Sequence, residues 1–380
     1  MSVKPTVIVI GGGVIGCSIA FYLAKCGVTT IVVERGRIGA EASAAASGLL
    51  GPSSGDQPYD ELATNSYNMF PRLTEELEEL SNIPTEFFTC GMLEVAITDP
   101  EVLDLSKRFT ALRLAGIETS WLEPREALDL EPQLTQNTVG AIYMPNISRV
   151  NNRQLCDAFA ISSLKMGAEF RHGVEVTGLI KDGQRVIGVK VPGDKILGDK
   201  VVIAAGAWTG TLGASMGLEH FQSPYGPLAK YAPVYPVRGQ NTNLQPPQSG
   251  LKVALGYQDG VFVPQSNGSI VAGPTLEEVG FDSRVTAGGL RYILNLATTA
   301  IPSLENSNIN WTIAGLRPST PDELPIIGSL PGFDDLIIAS GHHRSGINLS
   351  PVTGKLIADL IIGNPSPLIK HFSPTRFLHT

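Results

Sequence analysis

Charged residues and cysteines are both scarce in this 380-residue chain, which contains 17% charged residues and four cysteines. The 28 Lys and Arg residues are outnumbered by 36 Asp and Glu residues, and the sequence has no basic run. Because a phosphate backbone would find no basic patch, we expect no nucleic-acid partner. The hydrophobic fraction of 43% excludes a disordered chain, and the length is enough for two or three domains.

The few cysteines are widely separated and form no C-x-x-C pair; they are Cys17, Cys26, Cys90 and Cys156. This spacing favours free thiols over a disulfide scaffold, and we therefore predict a cytoplasmic protein. His342 and His343 are adjacent and have no spaced carboxylates or cysteines nearby in the sequence. Because such a pair makes a poor ligand set, we predict no metal site.

One apolar stretch, from Thr6 to Ala24, is about as long as a membrane-spanning helix. Three consecutive glycines, Gly11 to Gly13, interrupt it, and no basic segment with a cleavage site accompanies it. We therefore predict neither a membrane span nor a signal peptide. The stretch instead has the pattern of a buried strand, a tight turn and a buried helix.

The first 34 residues have the pattern of a βαβ unit. We predict a strand at Val7 to Ile10, a helix at Val14 to Lys25 and a strand at Thr29 to Val33. The glycines of a G-x-G-x-x-G turn follow the first strand at Gly11, Gly13 and Gly16, and Glu34 lies 23 residues after Gly11. In such units the glycines allow a pyrophosphate to approach the helix N-terminus, and the acid accepts a hydrogen bond from the ribose.

The segment Ala40 to Pro52 consists mostly of Ala, Gly and Ser. Because it has few side chains to pack, we interpret it as backbone laid against a flat isoalloxazine ring, with contacts from Ser43, Ser47, Gly48 and Leu49. A flexible loop is the alternative that the composition leaves open.

The rest of the chain alternates between strands and helices and then returns to the first sheet. We predict paired strands within Phe87 to Ile97, one strand within Asn137 to Val150, a hairpin of Val174 to Ile180 with Arg185 to Val191, a buried strand at Lys200 to Ala205, antiparallel strands through Val253 to Ala272, a final strand at Leu336 to Ala339 and a closing helix to about Ile362. The buried strand re-enters the dinucleotide sheet, so the first domain is discontinuous. We assign residues 1–80, 140–223 and 305–380 to a cofactor domain, and residues 81–139 and 224–304 to a substrate domain.

Six segments, in this order, resemble the glycine oxidase and D-amino acid oxidase family of FAD-dependent amine oxidoreductases: GGGVIGCSIAFYLA, SAAASGLLG, VVIAAGAWTG, PVRGQ, AGLRPSTPDELPIIG and ASGHHRSGINLSPVTGKLIADLI. The resemblance implies an α/β protein whose FAD-binding domain is Rossmann-type and glutathione-reductase-like. The accompanying substrate domain would be α+β, built on an antiparallel sheet.

The resemblance also implies which residues contact FAD. Together with the glycine-rich turn, the predicted cofactor-binding residues are Gly11, Gly13, Val14, Ile15, Gly16, Glu34, Arg35, Ala42, Ser43, Ser47, Gly48, Leu49, Val176, Gly206, Trp208, His342, His343, Arg344, Ser345, Gly346, Ile347 and Asn348. Related sarcosine oxidases attach flavin through a cysteine near the Arg317 stretch, but no cysteine follows Cys156 here, so we expect non-covalent FAD.

On the substrate side, Arg317 matches the arginine that holds the substrate carboxylate in the family, and Arg344 matches a second active-site position. Val261 stands where similar enzymes have a tyrosine that contacts the carboxylate. Tyr257 and Tyr231 are the candidates to replace that tyrosine.

The implied reaction is the oxidative deamination of glycine, sarcosine and small D-amino acids by hydride transfer from Cα to flavin N5. The products are a 2-oxo acid and ammonia, and O₂ is reduced to H₂O₂. No side-chain acid or base is obligatory, since the flavin carries the chemistry. Thiamine biosynthesis is the implied pathway, and we expect a homo-oligomer. Two alternatives remain open: a dehydrogenase that passes electrons to a quinone or partner subunit, and a flavin-binding subunit without turnover.

Overall fold

The computed structural model describes residues 4–53, 57–215, 231–333 and 335–378. Its strands are β1 (Thr6–Ile10), β2 (Thr29–Glu34), β3 (Leu49–Leu50), β4 (Phe88–Thr89), β5 (Met92–Ala96), β6 (Ser120–Leu122), β7 (Gly140–Met144), β8 (Ser148–Arg149), β9 (Glu169–His172), β10 (Gly178–Asp182), β11 (Arg185–Val191), β12 (Asp194–Leu197), β13 (Lys200–Ile203), β14 (Tyr235–Gln245), β15 (Ala254–Tyr257), β16 (Gly260–Pro264), β17 (Ile270–Gly273), β18 (Asn308–Ser319), β19 (Ile326–Ser329) and β20 (Leu336–Ser340). Its α-helices are α1 (Val14–Lys25), α2 (Ala42–Ala45), α3 (Tyr59–Ser81), α4 (Asp99–Leu114), α5 (Pro124–Leu130), α6 (Asn152–Lys165), α7 (Thr209–Ser215), α8 (Ala287–Ala300) and α9 (Gly346–Ile361).

A six-stranded sheet in the order β19-β20-β13-β1-β2-β9 forms the first layer of the fold. Its strands are parallel except for β19, which pairs antiparallel with β20. The predicted βαβ unit is confirmed: α1 has the predicted bounds, and β1 and β2 each differ from prediction by one residue. The predicted return of the chain to this sheet is also confirmed, because β13 pairs directly with β1.

The two faces of β1 explain why its sequence is apolar at every position. Val7 and Val9 pack on the side of α1, α3 and α9, while Ile8 and Ile10 pack against the small sheet β10-β11-β12. All four side chains are at most 5% exposed. A strand covered on both faces must be apolar throughout, as is usual for buried parallel sheets.

An eight-stranded sheet in the order β18-β14-β17-β16-β15-β5-β7-β6 forms the second layer. It is antiparallel except where β15 runs parallel to β5. The helix α8 packs against it through a cluster that includes Ile293, Leu296 and Phe262. The sheet includes β7 and β18, which lie in ranges that we assigned to the cofactor domain, so the domain division stays a proposal.

Some predicted strands differ from the observed ones because their pairing is not local. The strands β4 and β5 pair with β8 and β7 rather than with each other, and the segment 137–150 contains two strands instead of one. The hairpin strand begins at Gly178 rather than Val174, because the Val174 N–H bonds to the Glu34 carbonyl at the end of β2. The sequence is rich in proline between positions 224 and 247. Residues 224–230 lie outside the described residues, and the rest of this segment contains the long strand β14.

Within the part of the chain that the structure describes, no helix is both long enough and apolar enough to cross a bilayer.

Candidate flavin and substrate site

A cavity of about 720 Å³ lies between the two large sheets and joins the glycine-rich turn to Arg317. The predicted site residues that line it are Gly11, Gly13, Val14, Ile15, Glu34, Arg35, Ala42, Ser43, Ser47, Gly48, Leu49, Val176, Gly206, Trp208, Val261, Arg317, His342, His343, Arg344, Gly346 and Ile347. Gly16, Ser345 and Asn348 do not line it. The fold therefore brings together residues that are more than 300 positions apart in the sequence.

The turn between β1 and α1 is built for close approach of the backbone. Gly11 has φ +107°, and a Cβ there would lie 2.4 Å from the Ala204 carbonyl oxygen. A Cβ on Gly16 would lie only 1.9 Å from the Gly11 carbonyl oxygen. Gly16 thus lets helix and strand pack, the role that such a glycine has in this turn, rather than contacting a ligand.

The start of α1 lies at the cavity, which Gly13, Val14 and Ile15 line. Gly13 is the N-cap residue, and the Val14 N–H donates to the Ser43 hydroxyl at 3.0 Å. Because the first amides of a helix lack partners within the helix and carry its positive dipole end, this region suits a phosphate group. The predicted contacts of Gly13, Val14 and Ser43 thus cluster at one place.

The Glu34 carboxylate connects the end of β2 to the glycine-rich turn. Its two oxygens accept hydrogen bonds from the Gly12 and Gly36 N–H groups, each at 2.7 Å. A carboxylate has about four lone-pair positions, so acceptor capacity remains for a ribose hydroxyl.

Beside the Glu34 carboxylate, the Arg35 guanidinium stacks over the Trp208 ring at 3.9 Å from the ring centroid. Both Arg35 and Trp208 line the cavity.

The small-residue segment after Ala40 lies along the cavity with its backbone close to other chain segments. It forms the short helix α2 and then passes Gly48, where φ is +80° and a Cβ would lie 2.1 Å from the Val150 carbonyl oxygen. A Cβ on Gly315 of β18 would lie 2.6 Å from the Ala45 Cβ. The lack of larger side chains therefore lets this segment pass between α6 and the eight-stranded sheet.

Arg317 lies on β18 and is a partly buried cation. Its Nη1 donates to the Thr275 carbonyl at 3.1 Å, and no carboxylate of the described residues lies within ion-pair distance of it. Burial, together with the charge of Arg344, lowers the pKa of Arg317 to about 10. The group therefore stays charged at neutral pH and lacks an anionic partner within the described part of the chain.

The turn before α9 places two neutral histidines at the cavity. Burial lowers the pKa of His342 to about 3, and the His342 Nε2 lies 3.0 Å from the Thr353 hydroxyl. Burial lowers the pKa of His343 to about 4; Glu323 opposes this shift, whereas Arg317 and Arg344 add to it. The N-terminus of α9 follows at Gly346, and both Gly346 and Ile347 line the cavity.

Two predicted contacts in this turn have other partners. The Ser345 hydroxyl bonds to the Tyr59 hydroxyl, and the Asn348 Nδ2 donates to the Gly51 carbonyl at 3.2 Å. Neither residue lines the cavity, although the Asn348 Oδ1 is buried without a partner among the described residues.

Of the candidates to replace the missing tyrosine, neither lines the cavity. Tyr257 is buried and its hydroxyl accepts a hydrogen bond from Gln258; burial, and after it the charge of Glu101, raises its pKa. Tyr231 packs against the core cluster on the β10–β12 side of the six-stranded sheet. Val261 does line the cavity, so an aliphatic side chain occupies this position.

Sequence reasoning missed Gly239, Asn241, Pro274 and Asp259, which also line the cavity. Gly239 and Asn241 are two apart on β14, so they share a face of the strand. Strand alternation from the PVRGQ segment could have revealed that face. A Cβ on Gly239 would lie 2.2 Å from the Arg317 Nη2, so this glycine makes room for the guanidinium.

The residues present fit a flavin dinucleotide. The cavity begins at a glycine-rich cradle with helix amides, has an acid at the end of β2, and ends at the partly buried cation Arg317 on β18 of the eight-stranded sheet. These features define a dinucleotide-binding oxidoreductase.

Comparison with known proteins agrees with this class. Residues 6–360 match the family model described as FAD dependent oxidoreductase, and the chain belongs to this family. The chain is therefore an FAD-dependent flavoprotein, and the α/β fold and cofactor predicted from the sequence are confirmed.

Individual relatives share nearly the whole length of the chain. It is 35% identical to the glycine oxidase of Geobacillus kaustophilus over 95% of this chain and 94% of that protein. The crystal structure of glycine oxidase from Geobacillus kaustophilus aligns with a TM-score of 0.88 at 34% identity, covering 98% of this chain and 99% of that one. The crystal structure of L-proline dehydrogenase from P. horikoshii aligns with a TM-score of 0.85 at 25% identity, covering 100% and 99% of the two chains. The resemblance to the glycine oxidase family is thus confirmed.

Proposed function

We propose that this protein oxidises glycine and other small amino acids, among them sarcosine and small D-amino acids, to an imine that water hydrolyses to a 2-oxo acid and ammonia, or to a 2-oxo acid and methylamine in the case of sarcosine. O₂ is the proposed electron acceptor, and H₂O₂ is the product of its reduction. The observation that carries the proposal is Arg317, a partly buried cation without a carboxylate partner among the described residues, at the cavity that begins at the glycine-rich turn. When bound there, FAD supplies the two-electron oxidation of the substrate C–N bond.

In this proposal Arg317 binds the substrate carboxylate. A guanidinium and a carboxylate form two parallel hydrogen bonds, which determine orientation as well as charge. Because Arg317 is partly buried, this pair is stronger than a fully exposed one. Arg344 is exposed and also lines the cavity, so we assign it a secondary role in attracting the anionic end of the substrate.

Proton handling in the proposed mechanism needs no side-chain acid or base. His342 and His343 are both kept neutral at pH 7 by burial, and neither has a pKa near the operating pH. General acid–base catalysis works best with such a matched pKa. We therefore propose that the substrate amine loses its proton to solvent, and that the α9 N-terminus stabilises negative charge on the bound cofactor.

Val261 supports a substrate range wider than glycine alone. An aliphatic side chain lines the cavity where similar enzymes carry a tyrosine, so a hydrogen-bond donor to the carboxylate is replaced by space. N-methylated glycine and small D-amino acids need that space, since they carry a methyl group on nitrogen or on Cα.

A second candidate is an amino acid dehydrogenase of the same fold, which would pass electrons to a quinone or partner subunit. The structural similarity to L-proline dehydrogenase supports this dehydrogenase candidate. A flavin-binding subunit without turnover is the third candidate.

One set of measurements separates the three candidates. An oxidase produces H₂O₂ in air with glycine, sarcosine or D-alanine, whereas a dehydrogenase reduces an artificial dye with the same substrates and produces little peroxide. A subunit without turnover keeps an oxidised flavin spectrum when the amino acid is added without oxygen. Absence of both peroxide and flavin bleaching with the whole panel would contradict the proposal.

A further inference from the structure

The Arg317 guanidinium is oriented by a single peptide carbonyl of the described chain. Its Nη1 donates to the Thr275 oxygen at 3.1 Å, and Gly239 leaves the space that its Nη2 occupies. A guanidinium has five N–H donors in a rigid plane. Because one of them bonds to Thr275, the position of that carbonyl determines how the remaining donors face a ligand.

Thr275 is itself held from two sides. Its N–H donates to the Gln240 carbonyl at 3.2 Å, and its hydroxyl accepts from the Gln240 N–H at 2.9 Å. The same hydroxyl donates to the Glu277 Oε1 at 2.6 Å. Thr275 is 5% exposed, so water does not replace these partners easily.

Glu277 is held in turn by a buried arginine and an amide. Its Oε2 accepts from the Arg238 Nη2 at 2.5 Å, and its Oε1 accepts from the Gln240 Nε2 at 2.6 Å. The backbones of Arg238 and Glu277 also exchange hydrogen bonds of 2.8 and 3.0 Å. The Arg238 hydrogen bond is the largest factor that lowers the pKa of Glu277, to about 2, so the carboxylate is charged at any assay pH.

We propose that Thr275 and Glu277 are positioning residues for Arg317, which set its guanidinium for a carboxylate ligand. This inference rests on the proposed function, in which Arg317 binds the substrate carboxylate. Neither Thr275 nor Glu277 lines the cavity, so both act through Arg317 alone. Loss of either one allows the guanidinium to rotate and weakens carboxylate binding while the cofactor end of the cavity is unchanged.

The test is the holoenzyme variant Thr275→Val, which keeps the side-chain shape and removes the hydroxyl. We expect KM for glycine to rise about tenfold, as for the loss of one net hydrogen bond, with a smaller change in kcat. The dissociation constant of acetate, titrated through the change that it causes in the flavin absorption spectrum, rises by the same factor. Thr275→Ser keeps the hydroxyl, so its KM for glycine and its acetate dissociation constant stay within about twofold of the wild type.

A matched control variant and a double-mutant cycle distinguish a positioning role from a general structural defect. Glu278→Gln removes the neighbouring exposed carboxylate and leaves KM and acetate affinity as in the wild type. In an Arg317→Met background, Thr275→Val causes no further loss in kcat/KM. A full additional loss in that background, or an acetate affinity that does not change in Thr275→Val, overturns the proposal.

If Thr275→Val does not fold, Glu277→Gln takes its place, since it keeps an oxygen acceptor for Thr275 and loses the charge paired with Arg238. We expect a rise of about threefold in KM and in the acetate dissociation constant, and unchanged values overturn the proposal. A wild type that binds acetate through Arg317 but oxidises no amino acid contradicts the proposed function only. A wild type that oxidises glycine but does not bind acetate overturns the positioning proposal only.

Discussion

At the scale of single residues, Arg317 is the side chain on which substrate binding depends most in our proposal. Arg317→Met keeps the length and removes the charge. Loss of a partly desolvated charge pair costs about 2–5 kcal/mol, so kcat/KM for glycine should fall on the order of 30- to several-thousand-fold. Steady-state kinetics and flavin content, measured together, check this. The FAD content should stay near that of the wild type.

Arg317→Lys is the matched control, and it should recover only part of the activity because a point charge cannot reproduce the planar fork. If Arg317→Met keeps kcat/KM within about threefold of the wild type while holding FAD, the carboxylate binds elsewhere. Arg344 is then the next residue to test, because it also lines the cavity.

Val261 leads to a prediction about specificity. With valine in place of the tyrosine, glycine loses a hydrogen bond to its charged carboxylate that is worth roughly 1.5–3 kcal/mol, and larger substrates gain space. Sarcosine and small D-amino acids should therefore compete with glycine in kcat/KM. Val261→Tyr should raise kcat/KM for glycine relative to that for sarcosine and small D-amino acids. Val261→Phe adds the ring without the hydroxyl, so it should lower kcat/KM for the larger substrates without raising it for glycine. A wild type that prefers glycine several hundredfold over all the others would be inconsistent with this view.

His342 makes stability depend on pH. Its pKa is about 3 in the folded protein and its usual value is 6.5, so between these pH values the unfolded chain binds a proton that the folded chain does not. Stability is therefore full above pH 6.5 and is lost as the pH falls, by about 2 kcal/mol at pH 5 for this one group.

The variant His342→Gln checks this, because it cannot titrate and keeps a hydrogen-bonding group for Thr353. Urea unfolding at pH 7 and pH 5 should show a decrease in unfolding free energy that is smaller by about 2 kcal/mol than in the wild type. An equal decrease in the two proteins would show that His342 already binds its proton in the folded state.

At the scale of elements, the contact between β1 and α1 determines whether the cofactor cradle exists. Alanine usually favours a helix over glycine by about 1 kcal/mol, but a Cβ on Gly16 would lie 1.9 Å from the Gly11 carbonyl oxygen. Gly16→Ala should therefore destabilise the protein by about 1–3 kcal/mol and reduce FAD binding, because the glycine-rich turn must move. Thermal unfolding and flavin content measure both effects.

Gly288 provides the helical control. It lies in α8, and apart from its chain neighbours and the local helix backbone no atom of the described residues lies within 4 Å of a Cβ built there. Gly288→Ala should keep FAD and stabilise the protein by about 0.5–1 kcal/mol. If Gly16→Ala behaved like Gly288→Ala, the close packing of the helix on the turn would not matter for the cofactor.

At the scale of the whole molecule, the two sheets enclose one cofactor without a covalent bond in our prediction. No cysteine is among the described residues that line the cavity, and the four thiols are free. Burial raises the pKa of Cys156 to about 12 and that of Cys17 well above its usual value, so neither forms a thiolate readily. The purified protein should be yellow and should release intact FAD on heat denaturation. Flavin that stays with the precipitated chain would refute this.

The amino-acid sequence alone determined the elements whose signals are local. The unit β1–α1–β2 follows from continuous apolar runs separated by glycines, and Glu34 follows from its position at the end of β2. The long-range order of FAD-family segments identified Arg317 and the turn before α9. Each of these inferences uses residues that are close in sequence, or a pattern repeated in the family.

Only the tertiary structure decided which side chains meet across the two sheets. Gly239 makes room for Arg317 because β14 pairs with β18, and Thr275 orients the guanidinium because its peptide is bound to Gln240. Tyr257, a sequence candidate for the site, bonds to Gln258 and does not line the cavity. Composition and periodicity report the face of a strand on which a residue lies, whereas strand pairing between distant segments determines what that face contacts.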